Sequence, residues 1–195
     1  MAKAGAPPKF KEAHVNWVFW KIAQNQPMGR KMLVEQTGLG EGSLRTILDR
    51  LGAYGLVDSN KAGRSLTANG TKVISKLKQM VRMDGIGHLT MTDRPYNCLV
   101  LVKRGGKSVK SGMEQRDAAI KAGRSGATTL VVQKGKLMMP GFGKDLNMEK
   151  DYQQDSDKIK RILDPEEGDA VIIGSEDNPN RAEEAAWVAA STLLK

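Results

Sequence analysis

The chain is poor in the residues that metal and disulfide chemistry require. Its 195 residues include one cysteine and two histidines. Cys98 has no partner for an internal disulfide and sits in the apolar run Cys98–Val102, so it reads as a buried structural thiol. His14 and His88 fall in different segments, which excludes a structural zinc site of the usual spacing. No nucleophile elbow accompanies them, and His88 beside Gly87 reads as a solvated side chain. No metal, cofactor or catalytic residue is therefore expected, and the expectation is a protein that is not an enzyme. No apolar run approaches the roughly 20 residues of a membrane span. The N-terminus also lacks the charged-then-apolar pattern of a secretory leader, so a cytoplasmic protein without membrane association is expected.

Acidic excess is absent too. The net charge is +9. Residues 1–83 hold 14 Lys and Arg against 5 Asp and Glu, or 14 − 5 = +9, and residues 84–195 hold 17 of each, or zero. The whole excess lies in the first part. Such a split predicts a polyanion-binding module joined to a neutral module.

The basic part carries a definite pattern. Val15, Val18, Phe19 and Ile22 mark the core face of a helix over about residues 9–24, broken by Pro27 and Gly29. A short helix follows over 30–36, then the turn Thr37-Gly38-Leu39. In "GLGEGSLRTILDRLGAYGLV", Leu44, Ile47, Leu48 and Leu51 repeat at i, i+3, i+4, i+7, which predicts a helix over 41–54. Two short strands, 56–60 and 65–67, flank Lys61-Ala62-Gly63-Arg64, and Thr67 caps a helix over 68–81. Helix, helix, turn, helix, basic hairpin, helix is the order of a winged helix-turn-helix, whose third helix enters the DNA major groove. Ser43, Arg45, Thr46 and Arg50 are the expected base contacts, and Lys31, Lys61 and Arg64 the expected phosphate contacts. Trp17 and Trp20 lie off the apolar stripe of the first helix, so a homodimer interface, or packing on the second domain, is expected to cover them.

"GLGEGSLRTILDRLGAYGLV" and "LTANG" resemble winged-helix transcriptional regulators. Together with "GMEQRDAAIKAGRSGATTLVV" and "GDAVIIG", they make the chain similar, over nearly its full length, to a family of uncharacterised archaeal proteins. Those pair an N-terminal winged helix with a small α/β domain. The resemblance implies that layout and a regulator's role, and implies no ligand.

Residues 84–95 have no clear period and read as a linker. Beyond it, 96–195 alternates strand-like and helix-like stretches in the order β-α-β-β-(α)-β-α, predicting an α/β sandwich with helices on one sheet face and an α+β protein as a whole. Asn178 and Pro179 open a last helix. Gly105, Gly106, Lys107 and Ser108 follow a buried strand and precede a helix expected over 109–122, where free N–H groups favour an anion. With Asp117 nearby, they are the expected lining for a small anionic effector. The functional expectation is a DNA-binding transcriptional regulator whose second domain senses such a ligand or pairs subunits. The alternatives are an enzyme acting on a nucleotide with a winged helix appended, or a pair of interaction modules in a larger complex.

Overall fold

A computed structural model describes residues 10–141 and 144–194. Contacts divide it into two compact units after Ile74. The protein is α+β.

The first unit contains α1 (Glu12–Asn25), α2 (Arg30–Thr37), α3 (Glu41–Ala53), the hairpin β1 (Val57–Asn60) and β2 (Gly63–Leu66), and the start of α4 (Ala68–Met80). This is a winged helix-turn-helix. In α1 the four consecutive residues Trp17, Val18, Phe19 and Trp20 are all buried. Consecutive side chains on a helix point about 100° apart, so this helix is enclosed on all sides, by α2, α3 and β2 among others. Trp17 and Trp20 are 0% and 3% exposed within the single chain. Both tryptophans are thus covered within the single chain. The apolar stripe of α3 is buried as its spacing requires, at Leu44, Ile47, Leu48 and Leu51. Thr67 caps α4 by accepting the Gly70 N–H at 2.9 Å.

The second unit is built on a six-stranded antiparallel sheet. Its strands are β3 (Val81–Ile86), β4 (Tyr96–Val102), β5 (Ala127–Gln133), β6 (Lys136–Met139), β7 (Leu146–Asn147) and β8 (Ala170–Glu176), in the order β3-β4-β8-β5-β6-β7. Its helices are α5 (Met113–Lys121), α6 (Met148–Asp151), α7 (Gln153–Leu163) and α8 (Pro179–Ser191). The expected linker is partly sheet. Asp84, Gly85 and Ile86 pair with Leu99, Cys98 and Asn97, and Leu89 beyond them is fully buried. An edge strand carries no strict apolar alternation, which is why β3 has no visible period. Val81, expected in the preceding helix, opens this strand instead.

Helices cover both sheet faces, not one. Leu99, Leu101, Leu130, Val132, Leu137, Val171 and Ile173 point to one face and join Met148 of α6 with Ile159 and Leu163 of α7. The opposite face meets α5 and α8. Strands buried on both sides lose the inside–outside alternation, and β4 and β8 are accordingly near-continuous apolar runs. Helix α8 approaches β8 closely because Gly174 has no side chain: a Cβ there would lie 2.1 Å from the Ala182 carbonyl oxygen and 2.5 Å from the Ala186 nitrogen. Asn178 caps α8 by accepting the Arg181 N–H at 2.9 Å, with Pro179 in the first turn.

Candidate functional site

The turn between α2 and α3 is set by its own polar atoms. Gly38 has φ 67° and returns its N–H to the Val34 carbonyl at 2.8 Å. The Thr37 hydroxyl donates to the Leu33 carbonyl at 2.6 Å and accepts the Leu39 N–H at 3.3 Å. With Leu44, Ile47, Leu48 and Leu51 committed to the core, the outer face of α3 consists of Gly42, Arg45, Thr46 and Asp49, all exposed. Ser43 is half-buried. The Thr46 hydroxyl donates to the Gly42 carbonyl at 3.1 Å.

Arg50, also exposed, has neighbours from the start of α1. Its guanidinium lies 3.6 Å from the Glu12 carboxylate and 5.3 Å from the centroid of the Phe10 ring. It is engaged with the start of α1, and position 50, one turn beyond Thr46, lies on the exposed side of α3.

The hairpin is two strands with one added backbone bridge on its outer edge. Met28 pairs with Arg64 through both backbone bonds, at 2.9 and 2.8 Å. Gly63 makes this possible: its φ is 140°, and a Cβ there would meet the Met28 carbonyl carbon and oxygen at 2.7 Å. Asn60 shapes the tip by accepting the N–H groups of Ala62 and Gly63 at 2.8 and 3.1 Å. Lys61 is exposed at that tip, while Arg64 is half-buried in the ladder. Lys31 is exposed in the first turn of α2. The structure thus brings Arg45, Thr46, Lys31 and Lys61 to the surface of one small unit.

The anion cradle expected at Gly105–Ser108 does not form. These residues make a 3-10 turn, and α5 begins only at Met113, after Gly112 at φ 77°. The Gly106 N–H donates to the Gly168 carbonyl at 2.9 Å. Its missing side chain is compensated by close neighbours, since a Cβ would lie 2.6 Å from Val131 Cγ1 and 2.7 Å from the Gly168 oxygen. Gly105 is buried against Val102 and Ala170 in the same way. The glycines accommodate protein, not ligand. Lys107, Ser108 and Asp117 are simply exposed. Of Glu114, Gln115, Arg116 and Asp117 in α5, Gln115 turns inward and donates to the Thr192 hydroxyl at 2.8 Å.

Several buried carboxylates escape a reading of the sequence. Asp155, 0% exposed, accepts the Thr90 hydroxyl at 2.9 Å and the Met91 N–H at 2.8 Å, fastening the β3–β4 connection to α7. Asp169 accepts the N–H groups of Arg104 and Glu166. Glu176 accepts the Ser125 N–H. Each satisfies loop amides that no spacing rule connects to it. Among the described residues, no group of three or more His, Cys, Asp or Glu is placed to hold a metal ion. No described helix is long and apolar enough to cross a membrane.

Residues 94–193, just over half of the chain, match the family model described as a domain of unknown function, DUF4443. The chain belongs to the DUF4443 family. Residues 21–72 match a second model, described as the PH0730-like N-terminal domain. Among solved structures, the chain is similar to the hypothetical protein PH0730 from Pyrococcus horikoshii OT3, at 30% identity and a TM-score of 0.72. The similarity covers 93% of this chain and 92% of that one. A search of curated proteins gave no match. In this DUF4443 protein the matched stretch spans β4 to α8, while β3, which completes the sheet edge, precedes it.

Proposed function

We propose that this DUF4443 protein is a DNA-binding transcriptional regulator whose winged helix makes the duplex contact. One observation carries the proposal. The outer face of α3 is exposed and carries Arg45 and Thr46, and the wing lysine Lys61 of the same unit is exposed too, in the part of the chain holding all the net charge of +9. A helix preceded by a tight turn and followed by a basic hairpin is the arrangement that enters a major groove. Arg45 is long and planar enough to reach guanine edges in two places at once, and the Thr46 methyl suits a thymine methyl. Asp49 works against phosphate contact on the same face, which favours insertion of its turn only where a base offers a donor.

The test is binding of duplex DNA by the full chain, measured by fluorescence anisotropy across a salt series. Arg45→Ala is expected to cost about 1–3 kcal/mol on a preferred sequence and to flatten the preference. Lys61→Ala is expected to weaken all duplexes alike and to reduce the slope of log K against log salt by about 1. Arg50→Ala removes the Glu12 and Phe10 contacts, and its melting temperature separates a loss of stability from a loss of duplex affinity. Absence of duplex binding at low salt would end the proposal.

A further inference from the structure

A second site stands on the sheet unit alone and does not depend on DNA binding by the first. A cavity of about 330 Å³ opens where β8 ends and β5 begins. Its lining combines an apolar floor, Met91, Ala127 and Ile173, with the side chains of Asp93, Arg116, Thr128 and Ser175. Known small-molecule pockets run from about 300 to 1,000 Å³, so this one suits a molecule far smaller than a dinucleotide.

Three features distinguish it from an ordinary crevice. The Ser175 Oγ is shielded from solvent yet has no hydrogen-bond partner among the described residues. A shielded hydroxyl left unpaired costs stability unless something binds it. The Arg116 guanidinium has no hydrogen bond or ion pair among the described residues, its backbone N–H alone bonding the Gly112 carbonyl at 3.1 Å. Its stem lies over Gly126, where a Cβ would be in ordinary van der Waals contact with Arg116 Cγ at 3.4 Å and Nε at 3.9 Å. Asp93 lines the same cavity and is not ion-paired with Arg116. The cavity therefore offers one cation, one anion and one unsatisfied hydroxyl, the two charges left apart. Thr92 is not among those offered groups, as its hydroxyl already bonds the Leu89 carbonyl at 3.1 Å and Asn97 Oδ1 at 2.9 Å.

We propose that this cavity binds a small zwitterion of the α-amino acid class. Arg116 takes the carboxylate by a two-point, charge-assisted contact, Asp93 takes the ammonium group, and the Ser175 hydroxyl completes the polar shell. The side chain lies on Met91 and Ile173, and the limited volume favours small and medium side chains. The segment carrying Asp93 is held in place from below by Asp155 and from beside by the Arg94–Asp177 pair at 2.7 Å, so the acidic wall is built before a ligand arrives.

The experiment is titration calorimetry of the full chain with the common L-amino acids, and with propionate as the counterpart of alanine lacking the amino group. At least one amino acid is expected to bind with one site per chain, and propionate more weakly than alanine. Arg116→Gln is expected to weaken binding about tenfold or more, since a hydrogen bond to a charged group contributes about that much. Arg116→Lys should restore part of it. Asp93→Asn should weaken the amino acid and leave propionate unchanged. Unliganded melting temperatures of these exposed-residue variants serve as the folding control. No binding by any amino acid at millimolar concentration would overturn the proposal. So would binding that is indifferent to both substitutions, or propionate binding as tightly as alanine.

Discussion

At the scale of single residues, backbone amides and close approaches govern more of this protein than side-chain pairs do. The β5–β6 turn is the clearest case. Lys134 and Gly135 both have positive φ, 52° and 71°, the two-residue turn whose twist matches a hairpin. Their N–H groups point out of the turn and are taken by Glu167 at 2.9 and 3.0 Å. The Gly135 N–H first, and the Lys134 N–H second, hold the Glu167 carboxyl below its ordinary range. A depressed folded value means stability that is present above the unfolded value and lost as pH falls through the folded one. Urea midpoints should therefore differ between the native chain and Glu167→Gln at neutral pH and converge in acid. A difference that persists at the lowest pH would show that the carboxylate charge is not the source. Gly174 is the second case. Gly174→Ala forces a methyl group onto the backbone of α8 and should cost about 1–3 kcal/mol or more, read from the urea midpoint. A loss under about 0.5 kcal/mol would mean that α8 shifts without penalty.

At the scale of elements, the wing depends on a backbone bridge from a distant segment. Leu66 donates its N–H to the Gln26 side chain at 2.6 Å, and Arg64 pairs with Met28, so β2 is held from the far side as well as by β1. Gly63→Val should open this bridge by obstructing the Met28 carbonyl. Amide hydrogen exchange would report it: the Met28 and Arg64 N–H groups, protected in the native chain, are expected to exchange like open hairpin amides in the variant. Unchanged protection would show that the close approach is not needed. Helix α4 behaves differently from its pattern. Val73, Ile74, Leu77 and Met80 share a face, yet only Ile74 is buried, and Val73 and Met80 are 39% and 49% exposed. A stripe read from spacing reports which residues are neighbours, and burial depends on whether another element arrives to cover them.

At the scale of the whole molecule, charge is partitioned as sharply as structure. If only the basic part meets DNA, neutralising exposed lysines of the sheet unit should leave the salt dependence of DNA binding intact. Lys121→Ala and Lys150→Ala are suitable, both exposed and both outside the first 83 residues. Each is expected to preserve the slope that Lys61→Ala reduces. A fall of about 1 for either would put the sheet unit against phosphate as well.

Local pattern sufficed for much of the chain. The α3 stripe, the glycine turn, the basic hairpin, the Thr67 and Asn178 caps and the Lys134-Gly135 hairpin are each encoded within a few residues, where period and turn chemistry act directly. Contacts between distant segments decided the rest. Strand β8 enters the sheet between β4 and β5, an order that no local signal carries. Strand β3 forms because Val102 to Asn97 offer it a ladder, not because its own residues alternate. The tryptophans of α1 are covered because three elements surround that helix. The glycines at 105 and 106 looked like room for an anion and proved to be room for Val131 and the chain at Gly168. The cavity gathers Asp93, Arg116, Thr128 and Ser175 from four separate segments. Period and capping act over a turn or two of chain, whereas burial and site geometry are set by which remote surfaces meet, and only folding brings those together.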